Sequence, residues 1–532
     1  MPEKTAFIIA MILGMASVLS PLMTSIAFCQ LKEWRFDRLQ EHLTREGWWI
    51  TCFGRVRPAL ALLFLLTMLG YWLLLRTQAP YYELGTMIWM TMTYGGFLTL
   101  FSLLSIAQIF LRKQRYPVWT SKAMLTTLLS MSIVVALLIF ALQHELLSLF
   151  LTPLIVGFPA IIVFIAWIAL VPLDRILKLI ILSRAIRARS RFSNLTVIGI
   201  TGSVGKTTTK ELLLHLLKSR GALATPRHVN TEMGVARWLT KILRDEPVDS
   251  DRILIVEMGA YCQGEIALLA SIVRPKIGIL TYVGKQHLAL FGSEENIADG
   301  KSELLDALPA NGLALINADS PLIDRIKTHG TSKRVLIGTD RRVDLCANNI
   351  EETSNGVRFE VHGVHYDAPL AGTHMVTNIV LALTAARALG ISTQELQKSL
   401  AAFQGFEQTF SVSERNGCTI LNSTYNSSYE SFLAALEWAR KQPMPRKVLI
   451  CDGIIELGDR EASVHADLAR RAKEIVADVY VLHAHFLPYF QDVFGDHARL
   501  LPQASIPQSP GALLLFIGRM PKDVIERFCG RG

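Results

Sequence analysis

The chain has 532 residues, of which 51% are hydrophobic, and it carries a formal net charge of +9. This length is too great for one ordinary hydrophobic core, so two or three domains are expected. The apolar residues are concentrated in the first third of the chain, and much of the basic excess lies beside apolar runs. This pattern favours a membrane surface, rather than nucleic acid, as the partner of the positive charge. No two cysteines form a Cys-x-x-Cys pair, so neither a zinc site nor a disulfide framework is indicated.

Five apolar runs near the start of the chain are long enough to cross a bilayer as helices, which takes about 20 residues each. They span residues 6–28, 58–75, 86–111, 124–142 and 146–171. The first run has no small-residue cleavage pattern of the kind that ends a signal peptide, so we expect the protein to retain it.

The loops between these runs alternate in their content of Lys and Arg, which are enriched on the cytoplasmic side of membrane proteins. The first loop is rich in basic residues, namely Lys32, Arg35, Arg38, Arg45, Arg55 and Arg57. The third loop and the segment after residue 171 are also basic, whereas the second loop has only Arg76 and the fourth has none. The alternation predicts an outside N-terminus, five spans of the inner membrane and cytoplasmic catalytic domains.

Residues 173–192 alternate Ile and Leu with Arg and Lys at helical spacing. Such a segment is typical of a basic amphipathic helix that lies on the inner leaflet. The alternative is a plain cytoplasmic extension of the last span.

From Asn194 onward, short β-type runs alternate with helical patterns, which indicates a parallel α/β sheet. The apolar run 195–200 leads into Thr-Gly-Ser-Val-Gly-Lys-Thr-Thr-Thr at 201–209, and a helical pattern follows. A strand, a glycine-rich turn, Lys-Thr and a helix form the context of a P-loop, whose amides and helix N-terminus bind phosphate. The expected ATP-binding residues are Gly202, Ser203, Val204, Gly205, Lys206, Thr207 and Thr208. The first glycine of the usual pattern is replaced by Ile200.

The segment 201–210 resembles the nucleotide loop of the Mur ligase superfamily, the amide-forming enzymes of peptidoglycan synthesis and their folylpolyglutamate relatives. Further blocks match in order: Asn-Thr-Glu-Met-Gly at 230–234, Ile-Val-Glu-Met-Gly-Ala at 255–260, Val-Gly-Lys-Gln-His-Leu at 283–288, Lys-Ser-Glu at 301–303 and Ala-Gly-Thr-His at 371–374. Thr-Tyr-Asn-Ser at 424–427, and Glu-Leu-Gly at 456–458 followed by His465, are similar to the branch that adds D-alanyl-D-alanine. The resemblance covers about residues 194–520.

The resemblance implies a chemistry in which the γ-phosphate of ATP is transferred to a carboxylate and an amine then displaces it. Two anions must approach each other in this reaction, so the site must supply positive charge. Lys206 is expected to neutralise phosphate charge, and Thr207 and Glu257 to hold one Mg²⁺. His287 is expected to bind a second Mg²⁺, together with Lys301 in carbamylated form. The catalytic set is therefore Lys206, His287 and Lys301.

Two further roles follow from the same resemblance. Asn378 matches the residue that reads adenine, and Asn230 and Thr231 match the substrate-side loop. Taken alone, Glu257 could be a salt-bridge or helix-capping carboxylate and Lys301 a solvated surface lysine.

The sequence departs from the family pattern at several points. Met375 follows His374 where the family has Asn, and Asn422-Ser423 replaces an acidic pair. Residues 404–410 contain no arginine to match the one that reaches the ATP phosphates. The membrane bundle also stands where the family has a soluble domain that binds uridine diphosphate.

These patterns predict three regions: a transmembrane bundle with its basic amphipathic linker at 1–192, a P-loop α/β domain with a parallel sheet at 193–403 and a Rossmann-like domain at 404–532. Strands of the last region are predicted at 418–422, 447–451, 478–483 and 513–517. The expected function is a membrane-bound, ATP-dependent amide ligase of cell-wall precursor synthesis. Its substrates would be a muramyl peptide or related carboxylate and an amino-acid or dipeptide amine. Its partners would be membrane lipid and wall-synthesis proteins. The alternatives are a poly-γ-glutamate synthase type ligase and a degenerate ligase that serves as a membrane scaffold.

Overall fold

The computed structural model describes residues 2–36, 38–40, 43, 54, 56–76, 83–111, 114–284, 288–340, 342–353, 356–404, 410–424, 428–455, 457, 460–501, 510–521 and 524–526. Contacts between residues divide the chain into two compact units, Met1–Leu177 and Lys178–Gly532.

The first unit is helical, and its helices follow the apolar runs of the sequence. A helix satisfies its backbone hydrogen bonds within one segment, as an apolar environment would require. The helices of this unit are α1 Pro2–Leu31, α2 Val56–Arg76, α3 Glu83–Phe110, α4 Ser121–Leu142, α5 Glu145–Gly157 and α6 Pro159–Ser190. In the described part of the chain, 5 helices are long and apolar enough to cross a membrane. The number of such helices confirms the prediction from the sequence, and their insertion in a membrane stays a prediction.

Small polar residues join α1 to α3. The amide of Ser20 donates a hydrogen bond to Ser105 Oγ at 3.0 Å, and Ser102 Oγ donates to the carbonyl of Leu13 at 2.8 Å. Small side chains let two helices approach closely, and their hydroxyls replace the hydrogen bonds that water would otherwise make. Next to this seam, Phe64 of α2 stacks on Phe97 of α3 with ring centroids 4.2 Å apart.

The prediction of one span at 146–171 is wrong in detail, because the structure divides this run into two helices. Phe158 has φ −127° and ψ 49°, which separates α5 from α6. The physical reason is Pro159, since a proline ring disfavours helical backbone in the residue before it and is well placed as the first residue of a new helix.

The segment 173–190 is continuous with α6, as the alternative reading of the sequence had it. Its last turns are part of the second unit, where Ala185 is fully buried and Arg189 is 6% exposed. Arg189 Nε donates to the carbonyl of Val273 at 2.8 Å. One face of this basic segment is therefore occupied by protein, and contact of its other face with a membrane stays a prediction.

The first sheet of the second unit consists of β1 Thr196–Thr201, β2 Leu223–Ala224, β3 Ile253–Glu257, β4 Ile277–Leu280, β5 Leu313–Asn317, β6 Lys333–Gly338, β7 Leu345–Thr353, β8 Gly356–Val361 and β9 Val364–Ala368. Its strand order is β2-β3-β1-β4-β5-β6-β7-β8-β9. The strands from β2 to β7 in that order run parallel, and β7, β8 and β9 pair antiparallel. The accompanying helices are α7 Lys206–Leu216, α8 Glu232–Ile242, α9 Glu265–Val273, α10 Leu288–Phe291, α11 Glu294–Asp306, α12 Val376–Ala388 and α13 Thr393–Ala401.

A further sheet follows in the order β10-β11-β15-β12-β13-β14, with β10 Ser411–Arg415, β11 Cys418–Ser423, β12 Lys447–Cys451, β13 Asp478–Val481, β14 Ala498–Leu500 and β15 Leu513–Ile517. Among the described strand pairs of this sheet, β10 and β11 are antiparallel and the others are parallel. Its helices are α14 Tyr429–Lys441, α15 Glu461–Lys473 and α16 Leu487–Phe494. The strands predicted at 447–451 and 513–517 match β12 and β15.

The parallel order of the first sheet fixes where chemistry can occur. Strands β3, β1, β4 and β5 are neighbours, and Ile200 of β1 lies opposite Glu257 of β3. Parallel strands deliver their carboxyl ends to one edge, where ligands of open α/β sheets bind. The segments that follow these four strands therefore meet at a common edge.

Candidate functional site

The glycine-rich loop joins β1 to α7 at this edge. Gly205 has φ +90°, and a Cβ atom there would lie 2.5 Å from Asn378 Nδ2. Only glycine tolerates both the left-handed backbone and the close approach of α12. The loop is held from its other side by the amide of Ser203, which donates to the carbonyl of Tyr282 at 2.8 Å.

Lys206 is the first residue of α7 and folds back over the loop. Its Nζ donates to the carbonyls of Gly202 at 2.6 Å and Ser203 at 2.9 Å. Burial lowers the pKa of Lys206, and the negative charge of Glu257 partly opposes this shift. The ammonium group and the N-terminal amides of α7 thus concentrate positive potential at the loop, as an anion site requires.

Glu257 ends β3 and is 4% exposed. Thr207 Oγ1 lies 3.1 Å from each of its carboxylate oxygens, and Asn230 Nδ2 lies 3.3 Å from Oε1. Thr231 is the residue before α8 and lies beside Asn230 in the chain, and Thr208 is buried in α7. The structure therefore brings the predicted Thr207, Glu257 and Asn230 into direct contact.

Lys210 is a member of this cluster that the sequence reasoning missed. It is fully buried, and its Nζ lies 3.3 Å from Glu257 Oε2 and 2.9 Å from the carbonyl of Thr225. A buried carboxylate needs a partner of opposite charge, and Lys210 supplies it. The signal was available, because Lys210 follows Lys206 by four residues and so shares its face of α7.

Lys301 lies in α11 and is only 2% exposed, so it is not the surface lysine of the alternative reading. Its Nζ donates to the carbonyl of Ala260 at 3.3 Å and lies 5.5 Å from the ring centroid of Phe291. Burial, assisted by the positive charge of Lys206, lowers the pKa of Lys301 to about 7, while Glu265 and Glu303 oppose the shift. A large fraction of this amine is therefore neutral, and hence nucleophilic, near pH 7.

Asn378 of α12 lies against the loop at Gly205 and is 4% exposed. Its Oδ1 has no hydrogen-bond partner among the residues that the structure describes. Buried acceptors are nearly always satisfied, so this oxygen is suited to a donor from a ligand.

Asp319 follows β5 at the same edge and was also missed. The hydroxyl of Thr377, the residue before Asn378, donates to Asp319 Oδ2, and the amide of Thr339 donates to Oδ1 at 2.9 Å. A carboxylate just past the end of a parallel strand, the pattern that marked Glu257, was the signal that could have found it.

Few of the described side chains at this edge of the sheet could bind a metal ion. His287 lies outside the described residues, and those residues contain no group of three or more His, Cys, Asp or Glu side chains placed for a metal. The described oxygen donors are Thr207 and Glu257, which lie together. Mg²⁺ in nucleotide sites commonly uses one or two protein oxygens with phosphates and waters, so this pair fits it in number and type.

His465 holds a loop of the second sheet. The amide of Ile454 donates to its Nε2 at 2.9 Å, and its Nδ1 lies 2.7 Å from the carbonyl of Glu461, which requires the neutral form with a proton on Nδ1. Other residues of the two motifs in this region, namely 425–427, Glu456 and Gly458, lie outside the described residues.

Two of the departures from the family pattern have structural roles of their own. Met375 is 5% exposed and packs in the core around α12. Asn422 Oδ1 accepts a hydrogen bond from Thr424 Oγ1 at 2.8 Å, which closes a turn after β11. Residues 405–409, where the family arginine was sought, lie outside the described part of the chain.

Comparisons with known proteins agree with this geometry. Residues 200–386 match the family model of the Mur ligase middle domain. The UDP-N-acetylmuramoyl-tripeptide--D-alanyl-D-alanine ligase of Synechocystis sp. is 34% identical over 298 residues, which are 56% of this chain and 63% of that protein. The ligase of the same name from Mycobacterium tuberculosis is 32% identical over 305 residues, 55% of this chain and 59% of that protein. The chain thus spans less than two thirds of the length of these relatives.

Solved structures give the same result. MurF from Acinetobacter baumannii is 25% identical with a TM-score of 0.57, and the match covers 66% of this chain and 79% of that one. MurF ligase from Thermotoga maritima, in complex with ADP, is 27% identical with a TM-score of 0.56 and coverages of 66% and 82%. Residues 200–386 are therefore similar to a Mur ligase middle domain, and the α/β region of this chain is similar in sequence and structure to MurF ligases.

Proposed function

We propose that this protein is a membrane-bound, ATP-dependent ligase that joins the carboxylate of a muramyl peptide, or a related acid, to an amino-acid or dipeptide amine. The observation that carries the proposal is the cluster at the sheet edge, where Lys206, Thr207 and Glu257 surround the glycine-rich loop. The loop is proposed to act as a P-loop for ATP. The similarity to ligases that add D-alanyl-D-alanine supports a dipeptide as the amine.

The reaction requires that a γ-phosphoryl group leave ATP for the substrate carboxylate, with release of ADP. The amine then attacks the acyl carbon and the C–N bond forms. The acyl C–O bond breaks, inorganic phosphate leaves with that oxygen, and the nitrogen loses one proton to the solvent. Lys206 and the amides of α7 bind and orient phosphate oxygens, and they offset the repulsion between the two anions. Asn378 Oδ1 accepts a hydrogen bond from the adenine amine, which would satisfy this buried oxygen.

Thr207 and Glu257 are the residues that would hold one Mg²⁺, and His287 and carbamylated Lys301 a second. The bound metal would supply positive charge to the phosphate oxygens. Lys210 pairs with Oε2 of Glu257, and Asn230 holds the carboxylate from its other oxygen. The low pKa of Lys301 supports its modification, since only the neutral amine reacts with CO₂.

The domain limits belong to the same proposal: a membrane bundle followed by its basic linker through residue 192, a central ATP-binding domain at 193–403 and a Rossmann-like domain at 404–532. The last of these would bring the amine to the acyl phosphate. The parallel arrangement of β11, β15, β12, β13 and β14 supports that assignment.

Phosphate release tests the function. The full chain in detergent is incubated with ATP, Mg²⁺ and a panel of muramyl peptides paired with alanine, D-alanyl-D-alanine or glutamate. We expect release that requires both an acid and an amine, with the dipeptide preferred. Release that depends on glutamate alone would favour the poly-γ-glutamate type of ligase. The absence of substrate-dependent release from a protein that still binds ATP would favour the scaffold.

We propose further that the protein is a multi-pass protein of the inner membrane with both α/β sheets in the cytoplasm. The five apolar helices and the alternating Lys and Arg content of the loops support this topology. A reporter that is active only in the cytoplasm, fused after Gly532, is expected to be active. A matched fusion after Arg76, in the second loop, is expected to be silent, and the reverse pattern of the two fusions would contradict the topology.

A further inference from the structure

Lys210 contacts the carboxylate that is predicted to bind Mg²⁺, yet no step of the proposed reaction uses it. Its Nζ lies 3.3 Å from Glu257 Oε2, 2.9 Å from the carbonyl oxygen of Thr225 and 3.4 Å from Glu211 Oε1. Lys210 is fully buried, and buried charges are screened by salt and water much less than exposed ones. The ammonium group therefore acts at nearly full strength on Glu257.

Both oxygens of Glu257 already have partners in the protein. Thr207 Oγ1 lies 3.1 Å from each oxygen, Asn230 Nδ2 lies 3.3 Å from Oε1, and Lys210 pairs with Oε2. A metal ion that binds this carboxylate must displace the hydrogen bond from the Thr207 hydroxyl and come within a few ångströms of the Lys210 ammonium group. Mg²⁺ and Lys210 thus compete for the same carboxylate.

The positive charge at this edge of the sheet opposes the binding of a free dication. Lys206 lies close enough to Glu257 for the carboxylate to oppose the lowering of the lysine's pKa by burial. Two ammonium groups, those of Lys206 and Lys210, therefore act on one carboxylate, and like charges repel strongly in a poorly hydrated site. The described residues also contain no group of three or more His, Cys, Asp or Glu side chains that could hold a metal. Phosphate oxygens of a nucleotide would supply both further ligands and negative charge.

We propose that Lys210 is a positioning residue that acts through Glu257 and keeps this carboxylate from binding Mg²⁺ until a nucleotide occupies the glycine-rich loop. The phosphates offset the charge of Lys210, so the metal becomes stable only in their presence. Nucleotide and metal should then raise each other's affinity by the same factor, since coupling between two ligands is reciprocal. The inference rests on the proposed binding of ATP at the loop and adds the residue that controls metal loading.

The test measures binding of Mn²⁺, in place of Mg²⁺, to the full chain in detergent, with and without ADP. Electron paramagnetic resonance reports the free ion, so no turnover is needed. We expect the wild type to bind Mn²⁺ at least about tenfold more weakly without ADP than with it. Lys210→Gln keeps a hydrogen-bond donor and removes the charge, so it should bind Mn²⁺ without ADP about tenfold more tightly than the wild type. Lys210→Arg keeps the charge and should behave as the wild type.

Thermal unfolding gives a second readout. In metal-free buffer Lys210→Gln should melt below the wild type, because the buried carboxylate has lost its cation. Mn²⁺ alone should raise the midpoint of Lys210→Gln and leave that of the wild type unchanged, since only the variant binds the ion without nucleotide. Lys218→Gln is the matched control: this exposed lysine follows the same helix, and the variant should match the wild type in both measurements.

A lysine with a purely structural role would lower the midpoint without improving Mn²⁺ binding, and that result would overturn the proposal. Tight binding of Mn²⁺ by the nucleotide-free wild type, unimproved by ADP, would overturn it as well, and this measurement needs no variant to fold. Failure of the wild type to bind ADP, with or without Mn²⁺, would instead count against the proposed ATP site. The two failures are thereby distinguished.

Discussion

Replacing Lys206 with alanine is expected to reduce ATP-dependent phosphate release about 100-fold or more. The ammonium group lies over the glycine-rich loop at 2.6 Å from the carbonyl of Gly202, where it can neutralise phosphate charge. The variant should remain folded, because Lys206 contacts the loop and not the hydrophobic core. ATP affinity by calorimetry and phosphate release by a coupled assay measure the two effects.

Lys218→Ala is the matched control, since this exposed lysine follows the same helix and lies outside the cluster. Its affinity and turnover should equal those of the wild type. Identical ATP affinities for wild type and Lys206→Ala would argue against the proposed role of the loop.

Replacing Lys301 with alanine is expected to abolish ligation while ATP binding at the loop persists. A protonated lysine would repel Mg²⁺, whereas a carbamate is an anion with two oxygen donors that suit a hard metal. Lys301→Arg should fail as well, because arginine keeps a cation and cannot be carbamylated. Short carboxylates added to Lys301→Ala should restore part of the activity by occupying the vacated position.

The pH dependence provides a second measurement for Lys301. With a pKa of about 7, the neutral amine becomes the major form as the pH rises through 7, so carbamylation should increase in that direction. Carbon-13 NMR with labelled bicarbonate would detect the carbamate directly, with Lys301→Ala as the blank. Depletion of CO₂ should slow the wild type and leave the carboxylate-rescued variant unaffected. Full activity in Lys301→Ala would show that this chain does not use Lys301 as a ligand.

The sequence predicted those helices and strands that the hydropathy of their own residues marks. Apolar runs identified the long helices, and β12 and β15 matched predicted strands because continuous apolar segments of that length are typical of buried parallel strands. The break at Phe158 was missed because hydropathy is continuous across Pro159. The antiparallel arrangement of β7–β9 was missed because pairing direction depends on contacts between strands and not on the pattern within one strand.

At the sheet edge, the family pattern supplied Thr207 and Glu257, and the structure places them in contact. Lys210 ends the same family segment, but its pairing with Glu257 did not follow from the pattern, because this contact joins a helix to a strand that comes nearly fifty residues later in the chain. Arg57 was assigned to a loop for a similar reason, since only the packing of α1, α2 and α3 shows it to be buried.

The Lys210–Glu257 pair also limits how this sequence can change over evolution. Loss of Lys210 alone would leave the buried Glu257 carboxylate without its salt-bridge partner. Loss of Glu257 alone would leave the buried ammonium group with only the partly exposed carboxylate of Glu211, 3.4 Å away, as a counter-ion. Losing one member of a buried ion pair costs several kcal/mol. Each single substitution is therefore selected against for stability, whether or not the protein still performs catalysis. Descendants that have abandoned catalysis should lose both charges together and replace them with apolar residues. Retention of an intact pair in a diverged copy would accordingly report on folding as well as on activity.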